Sequence, residues 1–210
     1  MLIRASELHH IMGDGKGSEL TVSAKTFLSD YAKEFVYGYN EVIDSKEMRK
    51  GIQCEAESIE LYNSVFFTNY EKNAVRLTNE WVSGECDILI CKKKVVDIKT
   101  AWSLKTFPAT IEKVEATMKK SGYDWQLRAY MMLNDVGLGE IAYCMVSTPD
   151  ELIKYEQIEL HQVDHIDPAL RVTRCFIERD LKLEEKIKIK CEVANEYLKS
   201  VVEQISIDHQ

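Results

Sequence analysis

The chain has 210 residues, 45% hydrophobic and 30% charged, enough apolar material for one domain of ordinary size with its own core. No run approaches the roughly 18 to 20 apolar residues of a membrane helix, and the N-terminus MLIRASELHHIM lacks a signal core, so cytoplasmic residence is expected. The net charge of −8 is unfavourable for a generally basic nucleic-acid binder, but residues 92–128 carry nine basic and four acidic side chains, a local +5 on a body of −13. Taken alone, that segment reads equally well as a solvated lysine-rich face.

Six cysteines (Cys54, Cys86, Cys91, Cys144, Cys175 and Cys191) form no C-x-x-C pair, which argues for reduced, mostly buried thiols rather than a zinc ribbon or an iron–sulfur cluster. The five histidines show no metal-ligand spacing.

In chain order, residues 4–12 read as a short helix, followed by a loop over 13–17. Ser23 can cap a helix to about Val36, with Phe27, Tyr31 and Phe35 on one apolar face. Asp44 and Glu47 make a D-x-x-E capping box that opens a helix reaching about Phe66. The periodicity then shortens: residues 75–77, 81–83, 87–91 and 95–100 suggest successive antiparallel strands, with Lys92-Lys93-Lys94 turning between the last two. Gly122 and Asp124 open a helix carrying residues 125–133; strands are expected at 141–146 and 155–160, and helix from 168 to about 205. This order predicts an α/β (α+β) domain with a mixed central sheet flanked by helices.

The chemistry concentrates in Gly84-Glu85-Cys86-Asp87-Ile88-Leu89-Ile90 and Val95-Val96-Asp97-Ile98-Lys99-Thr100. Side chains two apart on a strand share a face, so Asp97 and Lys99 point one way while Val96 and Ile98 point into the core. Asp87 on the partner strand would bring a second carboxylate to the same sheet edge. Hard oxygen ligands of this kind suit Mg²⁺ or Mn²⁺, and a lysine beside them can orient an attacking water. A lone D-x-K is a common tripeptide and reads most often as a surface ion pair. Two further features accompany it: Glu55 in Gly51-Ile-Gln-Cys-Glu55 upstream, and Gln126 and Tyr130, four apart on one helical face, downstream.

Together, G-x-x-x-E, G-x-x-D, D-I-K-T and Q-x-x-x-Y in this order resemble the restriction-endonuclease-like PD-(D/E)xK superfamily, and within it the lambda-exonuclease or YqaJ-like phage recombination exonucleases. The resemblance covers about residues 51–130, with Arg4 and Ser6 as a weaker N-terminal match. It departs from the pattern at Cys86, where a proline often precedes the acid, and at Ala56, where this branch often has proline. The resemblance implies a restriction-endonuclease-like nuclease domain over residues 1–165 and a C-terminal helical extension of the same domain over 166–210. It implies that Glu55, Asp87, Asp97 and the Ile98 carbonyl hold Mg²⁺, which Mn²⁺ can replace, while Lys99 acts on the nucleophilic water. Gln126 would contact DNA or steady the site, Tyr130 would support it, and Arg4 and Ser6 would contact a terminal phosphate. The implied activity is hydrolysis of DNA phosphodiester bonds from double-stranded ends for phage-type recombination, leaving 5′-phosphate and 3′-hydroxyl ends. A single-strand annealing protein as partner and a ring-shaped homotrimer are further implications. An endonuclease or single-strand-specific nuclease, a non-catalytic DNA-binding protein, and an acidic interaction protein with a chance D-x-K are the alternatives.

Overall fold

The computed structural model describes residues 2–13, 20–40 and 44–209. Strand β1 (Ile3–Arg4) leads into a 3₁₀ helix, Ala5–His10, where a helix over 4–12 was expected; the loop expected over 13–17 lies, beyond Gly13, outside the described residues. Helix α1 (Val22–Tyr37) is capped by Thr21, whose hydroxyl accepts from Ala24 N at 3.1 Å, rather than by Ser23. Helix α2 (Lys46–Gln53) is capped by Ser45, because Asp44 is drawn instead to Arg49. The helix expected to continue to Phe66 does so only after a break at Cys54, from which α3 (Glu55–Phe66) starts.

Strands β2 (Leu77–Thr78), β3 (Val82–Gly84), β4 (Ile88–Ile90) and β5 (Lys94–Thr100) follow close to the expected positions. The β4–β5 turn lies one residue earlier than the lysine run suggests: Cys91 and Lys92 take positive φ (48° and 53°), the conformation of a tight hairpin turn, and Lys94 already belongs to the strand. Helices α4 (Ile111–Ser121) and α5 (Tyr123–Asn134) meet at Gly122, left-handed at φ 68°, where a Cβ would stand 2.2 Å from His9 Cβ. The helix thus opens at Gly122, its N-cap, with Asp124 in the first turn.

Beyond strand β6 (Leu138–Cys144) and the short α6 (Asp150–Ile153), the strand expected at 155–160 is absent. Tyr155 is fully exposed there and the chain makes a 3₁₀ turn at Ile158–Leu160, so the alternation has no sheet to lie on. The helix expected from 168 begins later. Residues Val172–Glu178 form strand β7, as their β-branched and aromatic content favours, and only Leu181–Asp208 is helix α7, capped by Asp180.

The strands make a small sheet, β1-β3-β2, and a mixed central sheet, β4-β5-β6-β7. In the latter, β5 and β6 run parallel, with α4 and α5 supplying the crossover that parallel neighbours require; the other pairs are antiparallel. Both faces of the central sheet are covered. Val96, Ile98 and Ala142 pack with Ile59 and Tyr62 of α3, while Val95 and Ile141 belong to the larger core with Leu127 and Met131 of α5. Among the described residues no helix is long and apolar enough to cross a membrane, and all six cysteines are free, Cys91 alone being exposed.

Candidate active site

The site grows out of the β4–β5 hairpin. Ile88 pairs with Val96, so one further residue back along the ladder sets Asp87 opposite Asp97. On β5 the alternation sends Asp97 and Lys99 to the α5 side. Asp97 is 2% exposed, which places a charged side chain at a depth normally reserved for apolar ones. Asp87 Oδ2 accepts from the Ile98 backbone N–H at 2.5 Å, fixing the carboxylate against β5.

Two carboxylates this close repel, and burial makes the repulsion costly. Desolvation, and then the Asp97 charge, push the Asp87 pKa well above the usual carboxylate range. Asp97 Oδ2 stands 2.8 Å from Lys99 Nζ, an ion pair, yet receives no well-aligned hydrogen bond and is closed to solvent. Burial alone would lower the Lys99 pKa; the charge and contact of Asp97 more than offset it, so the ammonium is retained. Lys99 also donates to Gln126 Oε1 at 3.2 Å and lies 4.2 Å from the centre of the Tyr123 ring. Gln126 in turn donates to the Tyr130 hydroxyl at 2.7 Å. The Q-x-x-x-Y spacing thus builds a chain from α5 to the lysine, and Gln126, 7% exposed, spends both ends of its amide inside the protein. Gly84 of β3 makes room for it: a Cβ there would sit 2.8 Å from the Tyr130 ring.

Glu55 opens α3 on the other side of a cleft of about 380 Å³ that Ile98, Lys99, Tyr123 and Tyr143 also line. Its carboxylate is held by Lys72 rather than turned onto the aspartates. Among the described residues no three His, Cys, Asp or Glu side chains form a ready metal cluster. The pair Asp87–Asp97 nevertheless fits a hard divalent cation: two oxygen donors converge, and one Asp97 oxygen is buried without a hydrogen bond. Arg4 and Ser6 lie elsewhere. Arg4 is paired with Glu7 and lines a separate cavity of about 620 Å³ with Phe27 and Tyr31, and Ser6 is exposed on the 3₁₀ helix.

Three side chains around the site escaped the sequence reading. Tyr123 and Tyr143 are ordinary aromatics in sequence, identified only by which strand and helix end they occupy. Lys50, at the end of α2, is fully buried and donates to the carbonyls of Ala101 (2.7 Å), Trp102 (3.1 Å) and Val146 (2.8 Å). It ties together the chain just beyond β5 and β6, and burial draws its pKa down to about 8. No pattern in the sequence distinguishes it from a surface lysine.

A mixed sheet whose first hairpin sets two acids and a lysine on one face, under a helix presenting glutamine and tyrosine, defines a nuclease core of the restriction-endonuclease-like class. Neither a scan of protein-family models nor a search of curated proteins finds a match. Among solved structures, a phage-related exonuclease from Haemophilus somnus 129PT is 31% identical, with a TM-score of 0.93 over 98% of this chain and 96% of that one. An alkaline exonuclease from Laribacter hongkongensis (LHK-Exo), at 14% identity, shares the fold with a TM-score of 0.68 over 99% of this chain and 93% of its own; a second structure of it, in complex with dAMP, gives 0.67. The chain belongs to the phage-type, lambda-exonuclease or YqaJ-like branch of the PD-(D/E)xK nucleases.

Proposed function

We propose that the protein is a divalent-metal-dependent exonuclease that resects double-stranded DNA ends, with Mg²⁺ as its ion and Mn²⁺ able to replace it. The observation that carries this reading is the buried, mutually repelling pair Asp87–Asp97 beside a retained Lys99 ammonium in a chain of exonuclease lineage. Asp87, Asp97 and the Ile98 carbonyl would hold the ion, and Glu55, now paired with Lys72, would add a further carboxylate. What the ion supplies when bound is a water of lowered pKa and neutralisation of charge on the phosphoryl oxygens. Lys99, oriented by Gln126 and backed by Tyr130, positions the nucleophile and meets charge on the phosphate. Because its amide is engaged at both ends, Gln126 acts on Lys99 rather than on DNA. Arg4 and Ser6 contact a terminal phosphate, for which the Arg4–Glu7 pair has to open.

The 210 residues act as one unit in which residues 166–210 complete the nuclease domain of residues 1–165. The products carry 5′-phosphate and 3′-hydroxyl ends, and the protein works in a host cytoplasm as a homotrimer beside a single-strand annealing partner. The test is digestion of linear duplex DNA labelled at its 5′ ends and of matched closed circles, in Mg²⁺ and in EDTA, by wild type and Asp97→Ala. Metal-dependent loss of linear DNA alone, with the variant inactive, is the expected result. Nicked circles would make the protein an endonuclease, and no cleavage of any form would leave a DNA-binding role only.

A further inference from the structure

One polar group in the Lys99 cleft has no task in the reaction above. Tyr143 on β6 stands beside Lys99 of β5 in the parallel register, so both side chains leave the same face of the sheet. Tyr143 is 7% exposed, and its buried hydroxyl has no hydrogen-bond partner in the protein. Buried hydroxyls are ordinarily paired, and an unpaired one in a cleft is a donor waiting for a ligand.

The charged groups of the cleft are already engaged, and the Tyr143 hydroxyl makes no bond to the nearby Tyr123. Lys99 serves Asp97 and Gln126, and Glu55 serves Lys72. The missing partner must therefore come from outside the chain, and the adjacent ammonium selects for an anionic oxygen. We propose that the Tyr143 hydroxyl donates a hydrogen bond to a phosphate oxygen of the bound nucleotide, beside Lys99, which makes Tyr143 a substrate-contacting residue of this site. The proposal rests on the exonuclease reading. Burial, the nearby Tyr123 and Asp97 all raise the Tyr143 pKa, so the hydroxyl keeps its proton and remains a donor throughout the neutral range. The half-buried Tyr123 ring, over which Lys99 lies, forms the edge of the cleft.

The test compares wild type with Tyr143→Phe, which removes only the oxygen. Binding of dAMP and of deoxyadenosine is measured calorimetrically in Mg²⁺, melting temperature is measured without ligand, and degradation of linear duplex is followed in parallel. The expected result is about tenfold weaker dAMP binding, equal to about 1.4 kcal/mol, with deoxyadenosine binding unchanged. The ligand-free melting temperature should be unchanged or higher, because no protein bond is lost. Equal affinity of the two proteins for dAMP, including no binding by either, overturns the proposal. So does a melting temperature several degrees lower in the variant, which would reveal a structural partner for the hydroxyl. Loss of dAMP binding in the variant, with a wild type that leaves linear duplex intact, would sink the exonuclease reading and keep the Tyr143 contact. A wild type that resects DNA with an indistinguishable variant would do the reverse.

Discussion

Two buried acidic centres sit on opposite faces of the same sheet and are built on opposite principles. On the α3 face, Glu140 of β6 is wholly buried, yet Lys94, Arg174 at 3.5 Å and the Tyr62 hydroxyl at 3.0 Å surround it. Arg174 is itself braced against the Phe66 ring at 3.8 Å. On the α5 face, Asp87 and Asp97 share one lysine and press on each other, and the buried Asp97 oxygen facing that lysine has no well-aligned hydrogen bond. The first centre is neutralised by the chain itself. The second is left short of positive charge in a place where that shortage costs stability, an arrangement consistent with the ion proposed for it.

Breaking each centre should therefore fail differently. Replacing Lys99 by Ala should reduce the rate of DNA degradation by on the order of a thousandfold or more while gel-shift affinity for a DNA end persists; equal loss of both would deny Lys99 its assigned part. Replacing Glu140 by Ala should lower stability by about 1–3 kcal/mol in denaturant titration, since it leaves the buried Tyr62 hydroxyl and the partly buried Lys94 and Arg174 without their acceptor. A near-neutral result would mean that water compensates that pocket. In EDTA, Asp97→Asn should melt above wild type by about 2–4 °C, the effect of about 1 kcal/mol of relieved repulsion in a chain of this size. A lower melting temperature would show that the Asp97–Lys99 pair outweighs the repulsion.

The smallest effect sharpens the comparison at an intermediate site. Glu156 accepts from Trp102 Nε1 and contacts His161, both at 3.1 Å, and meets Lys46; the Lys46 bond first, then that of Trp102, holds its pKa down at about 2. A carboxylate with a lowered folded pKa stabilises above its unfolded value and loses that contribution as pH falls through the folded one. Glu156→Gln should therefore melt slightly lower than wild type at pH 7, and the gap should close between about pH 4.5 and pH 2. A gap independent of pH would assign the role of Glu156 to shape rather than charge.

The α5-face site was largely legible in sequence because strand alternation and helical spacing are local rules. Asp97 with Lys99, Asp87 across the hairpin, and Gln126 with Tyr130 follow from them directly, whereas Glu55 rested on family order and is held by Lys72. The Glu140 centre was invisible: its partners come from β5, β7 and α3, far apart in the chain and joined only by sheet register. The same non-local logic explains β7. Its Arg174 and Glu178 gave the segment a charged, helical look, and only the antiparallel edge offered by β6 makes it a strand. The break at Cys54 left no sequence signal, since Gly51 just before it lies inside α2 without distortion.

Lys50 bears on how such proteins are mapped by chemistry. It neighbours the G-x-x-x-E motif, and an alanine scan for DNA contacts would score it strongly, because its loss frees the Ala101 and Val146 carbonyls and leaves that of Trp102 to Thr148 alone, where β5 and β6 end. An amine-reactive reagent would tell another story: Lys92 and Lys93 on the hairpin turn are open to acylation, whereas Lys50 is sealed with or without DNA. A lysine that is essential to mutation and silent to labelling belongs to the frame that aims the site, and footprinting alone would leave it off the map.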